Sequence, residues 1–204
     1  ISCSLRKHGN TEILVGEVLA SAKEAGAEVE LVTLIGKEIK PCDGCYACRK
    51  TGECHIKDDM EPIYGKMLEA DGIILGTPVY FYNMAGQTKV FIDRTYPLRY
   101  PHFRLANKVG GTVVVAGRNG LGNTTMSMQM LFILNHMVLA DHVSGLASDR
   151  GAVRKDMYAM KEAAEVGKQM VSLISKGFKF AEGYDSASHH YIREKYGVTA
   201  SPFG

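Results

Sequence analysis

Hydrophobic residues occur along the chain in two patterns, short continuous runs and segments in which they recur every three or four positions. The runs predict buried strands at residues 29–35, 72–77, 109–116 and 143–147. The periodic segments predict helices at residues 12–25, from 60 onward, 86–94, 124–140 and 156–176. Because strands and helices alternate and the strands are apolar on both faces, the pattern predicts a parallel sheet covered by helices on both faces.

The order of the elements narrows the fold class. With Ile1 to Cys3 as a further strand, the chain has the elements of an α/β, flavodoxin-like, doubly wound five-stranded parallel sheet with the order 2-1-3-4-5. Strand 1 is central in that order, so we expect about five further apolar residues before Ile1 in the natural chain. Residues 1–180 are predicted to form the domain, and residues 181–204 a C-terminal tail.

The composition restricts the class of protein. The chain has 204 residues, a net charge of +2 and five cysteines. This balance of charge gives no reason to expect nucleic acid or an anionic membrane as a partner. No segment has the length of a membrane span, no signal peptide is visible, and the cysteines are too few for a disulfide scaffold. We therefore expect a cytoplasmic protein without nucleic-acid or membrane partners.

Four of the five cysteines are clustered. In the run PCDGCYACRKTGEC, Cys42, Cys45, Cys48 and Cys54 have a C-x2-C-x2-C-x5-C spacing. Such compact runs are typical of ligands to a 4Fe–4S cluster, which predicts a cluster loop at residues 41–55. Zinc, which more often uses two separated cysteine pairs, and plain or redox-active thiols stay open as alternatives. Cys3 stands alone and is interpreted as a small apolar residue beside a turn.

Three loops follow predicted strands at the sheet edge where ligands bind in such folds. Residues 4–11 combine hydroxyls, an amide and an arginine before a helix, which suits a phosphate, although an ordinary capped loop explains this segment equally well. Residues 77–87 carry aromatic side chains that suit a planar ring. Residues 116–124 carry three glycines that let the backbone approach a ligand closely. Together the three loops predict a ligand site on one edge.

Three motifs resemble those of a known family. SLRKHGNTEIL resembles the phosphate loop of the NADPH-dependent FMN reductase family, and TPVYFYNMAGQTKVFIDRT resembles its second motif. With PCDGCYACRKTGEC followed by IKDDM, the chain is most similar to the iron–sulfur flavoprotein branch, which is found mainly in anaerobic archaea and bacteria. The resemblance covers about residues 1–125. Cys3 and Leu5 stand where the family often has glycine and proline, and neither change removes a phosphate-binding group.

The resemblance implies FMN and one 4Fe–4S cluster as cofactors, with NADPH as a candidate electron donor. It implies that the FMN phosphate is bound by Ser4, Arg6, Asn10 and Thr11. It implies that the isoalloxazine lies against Pro78, Val79, Tyr80, Phe81 and Asn83, with Ala116, Gly117 and Arg118 on the far side. The implied cluster ligands are Cys42, Cys45, Cys48 and Cys54. No side chain is expected to act as a catalytic nucleophile or base, because the cofactors carry the chemistry.

The implied function is an oxidoreductase that passes electrons from a ferredoxin-like donor to a small-molecule acceptor, in a homodimer or homotetramer. Two alternatives stay open: an NAD(P)H-dependent FMN or quinone reductase without a cluster, and a non-enzymatic flavodoxin-type electron carrier. The sequence identifies neither the physiological donor nor the acceptor.

Other chemically suggestive residues have structural interpretations. Asp58 and Asp59 are expected to cap the helix that follows them. His136 is expected to be a hydrogen-bonded core histidine, and His189 and His190 are expected to have no metal-binding role. Residues 96–107, which are aromatic and basic, are interpreted as a lid over the flavin, a subunit contact or a simple connection.

Overall fold

A computed structural model describes residues 1–100, 102–180, 194–195 and 197. Within these residues the strands are β1 (Gly72–Tyr80), β2 (Asn83–Met84), β3 (Val109–Ala116) and β4 (Val138–Leu146). The α-helices are α1 (Asn10–Glu24), α2 (Cys48–Thr51), α3 (Glu61–Glu69), α4 (Gly86–Arg94), α5 (Leu121–Ile133) and α6 (Met157–Ser175). Two 3₁₀ turns, Tyr96–Arg99 and Ala152–Lys155, complete the regular structure.

The sheet lies between two layers of helices. Its order is β2-β1-β3-β4, in which β1, β3 and β4 are parallel and β2 pairs antiparallel with the end of β1. Alternate residues of β1 enter two separate cores: Ile73 and Leu75 pack with α3, α4 and α5, whereas Ile74 packs with α1 and α6. The double-sided burial explains why the strands are apolar throughout, and the architecture is the expected α/β, flavodoxin-like one.

The predicted five-stranded order 2-1-3-4-5 is wrong, because the described sheet has four strands. Ser2 forms one isolated parallel bridge with Thr33 and another with Gly76. The Ser2 N–H donates to the Val32 carbonyl and the Cys3 N–H to the Gly76 carbonyl, at 2.8 Å each. Single bridges are too short to count as strands, so residues 29–35 are not the strand that their hydrophobicity predicts. The short hairpin strand β2 was not predicted.

The helix predicted at residues 124–140 ends earlier than expected. Asn135 donates its side-chain amide to the Leu131 carbonyl at 2.6 Å, and His136 adopts a left-handed backbone with φ of 55°. These features end α5, and the apolar residues from Val138 onward belong to β4. One face of α5 is open to solvent, since Met126 is 69% exposed.

The remaining helices agree closely with the pattern. α4 matches its predicted bounds, and α6 begins after Asp156, whose carboxylate accepts a hydrogen bond from the Ala159 N–H at 3.1 Å. His136 lies in the core, against the ring of Phe103. Most of the predicted tail, including His189 and His190, lies outside the described residues, so its separation from the domain stays a prediction. Among the described helices, none is long and apolar enough to span a bilayer.

Candidate functional site

The first part of the candidate site is the loop that joins Cys3 to α1. The Gly9 N–H donates to the Arg6 carbonyl at 3.0 Å, and the Arg6 N–H donates to Ser4 Oγ at 3.2 Å, so residues 4–9 fold into a tight turn. Ser4 and Thr11 are buried, whereas Arg6 is exposed. The first N–H groups of a helix have no partners within it and carry partial positive charge. The loop can therefore accept a phosphate at the amino end of α1.

The Asn10 side chain forms hydrogen bonds with the segment after β4. Its amide donates to the carbonyls of Ala147 and Asp149, at 3.2 and 2.8 Å, and its oxygen accepts from the Val153 N–H at 3.3 Å. The structure thus shows Asn10 joining the turn at residues 4–9 to the segment after β4. That segment was not predicted as part of the site, although it contains a polar run with a glycine, SDRG, directly after an apolar strand. The same signal marked the other loops.

A tight hairpin projects from the end of β1. Phe81 and Tyr82 both have left-handed backbones, with φ of 44° and 67°, as in a two-residue type I′ turn. Such values are unusual for bulky residues and indicate local strain. The Phe81 side chain is 97% exposed, and its ring packs edge-on against that of Tyr82. The hairpin therefore presents aromatic surface beside the carboxyl end of the sheet.

The glycine loop after β3 packs directly against its neighbours. Gly120 has φ of 94°, and a Cβ there would lie 2.9 Å from the Tyr82 Cα. A Cβ on Gly117 would lie 2.9 Å from Ser148 Oγ. At Gly120 the obstructing atoms include backbone, so a side chain does not fit, whereas at Gly117 the close atom is a serine hydroxyl that can rotate away. The loops after β1, β3 and β4 touch at these two glycines. We call these loops together with residues 4–9 the loop edge: residues 4–9, 80–83, 117–120 and 147–153.

The residues predicted for FMN lie in the loop edge or at the ends of the strands and the helix that border it. They are Ser4, Arg6, Asn10, Thr11, Pro78, Val79, Tyr80, Phe81, Asn83, Ala116, Gly117 and Arg118. A helix start, an exposed arginine, aromatic surface and closely approaching backbone are the groups that a flavin mononucleotide needs. The residues present therefore fit FMN, and their individual contacts with it stay predictions.

The second part of the site is the cysteine loop, residues 41–55. Its four thiols are free and line one cavity of about 510 Å³, together with the end of α4, the turn at Tyr96–Arg99 and one face of α5. Burial raises the pKa of Cys48 to about 11, and the charges of Cys54, Cys45 and Cys42 contribute to the rise. The four thiols line the same cavity, whereas the donor atoms that lie within 4.8 Å of one another among the described residues are those of Asp43, Cys45 and His55. Four soft thiolate donors suit an iron–sulfur cluster by their chemistry, whereas no three of these sulfurs lie within 4.8 Å of one another in the described part of the chain, as ligands of one zinc ion do.

A buried ion pair joins the two ends of the cysteine loop. Arg94, at the end of α4, donates to both carboxylate oxygens of Asp58 at 2.6 and 3.0 Å. It also donates to the carbonyls of Lys40 at 2.7 Å and Ile56 at 3.1 Å, which lie just before and just after the loop. Burial alone would raise the pKa of Asp58, but its bonds with Arg94, Lys40 and Met60 lower that pKa below its usual range.

The ion pair corrects the prediction for the two aspartates. Asp58 does accept from the Met60 N–H at 3.0 Å, but its main partner is Arg94. Asp59 accepts from the Glu38 N–H at 2.7 Å, and no side-chain cap forms on α3. The role of Arg94 was not predicted from the sequence. The available signal was its position seven residues after Gln87 and three after the apolar Phe91, on the inward face of α4.

The aromatic and basic segment at residues 96–107 lies against the cysteine loop. The Arg49 guanidinium stacks over the Tyr46 ring at 3.7 Å and donates to the Tyr96 hydroxyl at 3.0 Å. The hydroxyls of Tyr96 and Tyr100 are 3.0 Å apart, and Arg104 donates to the Gly52 carbonyl at 3.2 Å. The segment therefore supports the cysteine loop from one side, a role that was not among its predicted interpretations.

The chain is similar in sequence to a family of FMN reductases and to named flavoproteins and oxidoreductases. A family profile described as NADPH-dependent FMN reductase matches residues 1–150. An iron–sulfur flavoprotein of Methanocaldococcus jannaschii is 41% identical over 184 residues, which cover 85% of this chain and 95% of the relative. An iron–sulfur flavoprotein of Methanosarcina thermophila is 37% identical over 179 residues, covering 85% and 93%. An NAD(P)H dehydrogenase (quinone) of Paracoccus denitrificans is 32% identical over 152 residues, covering 73% and 68%.

Solved structures share the fold at low sequence identity. RosB, solved with bound 8-demethyl-8-formylriboflavin-5'-phosphate, superposes with a TM-score of 0.72 at 14% identity and covers 98% of this chain and 86% of its own. A flavodoxin from the domain Archaea superposes with a TM-score of 0.55 at 15% identity, covering 85% and 96%. At these identities the likeness establishes the flavodoxin-like fold alone.

Proposed function

Since the chain belongs to the NADPH-dependent FMN reductase family, in the branch of the iron–sulfur flavoproteins, we propose that it binds both FMN and a 4Fe–4S cluster. It is an FMN-dependent oxidoreductase. The proposed FMN site is the loop edge, and the proposed cluster site is the cysteine loop. The observation that carries this proposal is the convergence of four free thiols on one cavity. When bound, a cluster exchanges one electron at a time and FMN one or two, so the pair converts single-electron input into two-electron reduction.

The loop edge provides the groups that bind and orient FMN. Arg6 and the amino end of α1 bind the phosphate, with the Ser4 and Thr11 hydroxyls as further donors. Asn10 acts by fixing this turn against the segment after β4, as its three hydrogen bonds require. The hairpin residues Pro78, Val79, Tyr80, Phe81 and Asn83 line one side of the ring, and Ala116, Gly117 and Arg118 the other.

The proposed partners follow from the number of electrons that each cofactor transfers at a time. A ferredoxin-like protein is the proposed donor, because single electrons enter through the cysteine loop, and a small molecule is the proposed acceptor. Free thiols suit a reducing compartment, and we place the protein in the cytoplasm of an anaerobe.

The test is to prepare the protein anaerobically, with cluster reconstitution, and to measure iron, acid-labile sulfide and flavin per chain. We expect about four irons and one flavin, the composition of one 4Fe–4S cluster with one FMN. Cys48→Ser should remove most of the iron and leave the flavin. Cys3→Ala is the matched control, because Cys3 is buried in the core and burial raises the pKa of its thiol to about 12. Flavin without iron or sulfide in the reconstituted wild type would exclude the cluster.

The second candidate is an NAD(P)H-dependent FMN or quinone reductase that works without a cluster. The similarity to the Paracoccus denitrificans quinone reductase favours it. Steady-state turnover of a quinone with NADPH by iron-free protein would support this candidate, whereas turnover that requires both iron and a reduced ferredoxin supports the first.

We also propose that the protein forms a homodimer or homotetramer. One face of α5 exposes large apolar side chains, namely Met126, Met130, Ile133 and Leu134. Phe81 and Tyr82 are further large exposed apolar side chains, and extensive exposed apolar surface marks interaction sites. Sedimentation velocity at micromolar concentration should show a species of at least two chains, and a monomer with its cofactors bound would contradict this proposal.

A further inference from the structure

Three side chains of different metal-binding types converge in the cysteine loop. One ligand atom each of Asp43, Cys45 and His55 lies within 4.8 Å of the other two. The His55 Nε2 and the Asp43 Oδ2 are 2.7 Å apart. Nitrogen, oxygen and sulfur ligands lie about 2.0–2.3 Å from a zinc ion, and tetrahedral geometry then places them about 3.5 Å from one another. Small side-chain rotations therefore suffice for the three atoms to share one ion.

The backbone of the loop orients two of these side chains. Asp43 Oδ1 accepts a hydrogen bond from the Cys45 N–H at 3.2 Å, and Gly44, which lies between them, has φ of 71°. Aspartate commonly closes a short turn in this way, by accepting from the backbone two residues further on. With Oδ1 held by the turn, Oδ2 faces His55, which lies 12 residues further along the chain. The set is therefore assembled from both ends of the cysteine loop.

The fold itself has little need of this arrangement. The side chains of Asp43 and His55 are 49% and 50% exposed, and an exposed ion pair contributes little to stability. A second exposed pair, Asp141 with His142 at 3.1 Å, has no third donor of this kind within the same reach in the described part of the chain. The Cys45 thiol distinguishes the first pair, and imidazole, carboxylate and thiolate are the groups that bind zinc in proteins. Because all three residues are exposed, an ion can enter from solvent and water can complete its coordination.

We propose that Asp43, Cys45 and His55 bind one Zn²⁺ ion when the cysteine loop contains no cluster. On binding, the hydrogen bond between His55 and Asp43 is replaced by a bond from each of them to the metal. The Cys45 thiol loses its proton to solvent, and the thiolate becomes the third protein ligand. The site stands on the geometry of these three residues and does not require a cluster.

Zinc at this site has a consequence for the cluster. Cys45 is also a proposed cluster ligand, so the ion and the cluster exclude one another. This part of the inference rests on the proposed function. Zinc-loaded protein is then a form that takes up its cluster only after the ion has been removed.

The test uses the full chain, prepared anaerobically without iron and with reduced thiols, and titrated first with Co²⁺ and then with Zn²⁺. A near-ultraviolet charge-transfer band reports bonds between Co²⁺ and thiolate, and its loss on adding Zn²⁺ gives the zinc affinity. We expect one ion per chain. Loss of a group that merely orients a metal ligand typically costs about 10–100-fold in affinity, so His55→Gln and Asp43→Asn, which alter ligands, should each cost about 100-fold. Cys45→Ser should remove the band.

The chain offers matched controls. Asp43→Asn still accepts from the Cys45 N–H, so it tests the ligand and not the turn. Asp141→Asn and His142→Gln remove the same chemical groups from an exposed pair that has no thiol beside it. Both should bind Zn²⁺ as tightly as the wild type does.

Several results would overturn the metal site. Unchanged zinc affinity in His55→Gln and Asp43→Asn would assign the ion to the thiols alone. A band that persists in Cys45→Ser would do the same. A wild type that binds no Zn²⁺ at micromolar concentration would leave no site to assign.

The competition is tested by adding Zn²⁺ during cluster reconstitution. Iron uptake should fall in the wild type and should be largely retained in His55→Gln, which alters no proposed cluster ligand. Equal inhibition in both proteins would overturn the exclusion. A wild type that takes up no iron even without zinc would refute the proposed function, and the exclusion with it, whereas the zinc titration would still decide the metal site.

Discussion

The loop edge and the cysteine loop lie in the same domain but are stabilised in different ways. The loop edge consists of short connections at the ends of parallel strands, and neighbouring connections touch closely, as where Gly120 meets the Tyr82 backbone. The cysteine loop contains no strand among its described residues and only the four-residue helix α2. Its position depends on side chains, above all the buried pair of Arg94 and Asp58.

This difference determines how each region responds to change. At the loop edge, several close contacts together hold the loops in place. A single substitution there should therefore alter the site only locally. At the cysteine loop, one guanidinium contacts residues on both sides of the ligands. Losing a partner there leaves a charge buried and unpaired, which is among the costliest single changes in a protein.

The largest effect is expected from Asp58→Asn. This change leaves the Arg94 charge without its carboxylate, and breaking a buried pair in this way typically costs about 3–5 kcal/mol. The midpoint of urea unfolding should fall, and iron content should drop while flavin content per folded chain is retained. Asp93→Asn is the control, because Asp93 forms an exposed pair with Lys89 on the same helix and its loss should cost below about 1 kcal/mol. A parallel loss of iron and flavin would show that the two regions are not independently stabilised.

A smaller effect of the same kind is expected from acid. The folded pKa of Asp58 is lowered, so its contribution to stability is present above the unfolded value of about 3.9 and is lost as the pH falls through the folded pKa. Protonation in this range should cost less than the substitution, because a carboxyl with a lowered folded pKa is only partly protonated at about pH 3. Urea unfolding measured between about pH 3 and 7 should show stability falling below about pH 4, and an unchanged slope in Asp58→Asn would contradict this assignment.

At the loop edge, Arg6→Ala should weaken FMN binding and leave the free energy of unfolding of the flavin-free protein nearly unchanged. Charge-assisted contacts with phosphate are worth about 1.5–3 kcal/mol, which is a change of roughly 10- to 100-fold in the dissociation constant. Lys7→Ala, in the same exposed turn, is the control for net charge. Combining Arg6→Ala with Asn10→Ala should weaken binding further, and unchanged flavin affinity in that double variant would refute the FMN site.

The smallest change is expected from Gly120→Ala. The left-handed backbone costs an alanine about 1–2 kcal/mol, and its Cβ would meet the Tyr82 backbone at 2.9 Å. The loops after β1 and β3 should move apart and flavin affinity should fall several-fold, as measured by fluorescence titration. Gly122→Ala is the matched control, since a Cβ there meets nothing within 4 Å and alanine favours the helix α5. Equal affinities in the two variants would show that this close packing does not matter for binding.

Much of the loop edge was predictable because it depends on local patterns. Apolar runs located β1 and β3, and the loops that follow them contain recognisable residue types. The cysteine spacing likewise marked its loop as a candidate metal site. What hydrophobicity alone could not separate was α5 from β4, because the apolar residues continue across Asn135 and His136, where the chain changes from helix to strand.

The features that were not predictable involve residues far apart in sequence. Arg94 and Asp58 are 36 residues apart, and Asn10 and Asp149 are 139 apart. In its local sequence, each is an ordinary charged or polar residue, and its neighbours in the sequence do not indicate its partner. Only the packing of α4 beside the cysteine loop, and of the segment after β4 beside α1, gives them their partners.

The helix α4 also has a consequence for how this chain can vary in length. Near its start, Gln87 donates to the Cys3 carbonyl beneath the loop edge at 2.9 Å, and at its end Arg94 binds Asp58. The seven-residue interval is two helical turns, so both side chains point to the same face, about 10 Å apart along the axis. Inserting or deleting one residue between them would rotate one side chain by about 100° relative to the other. Loops elsewhere in the molecule can lengthen gradually, whereas α4 can change only by whole turns if both sites are to keep their partners.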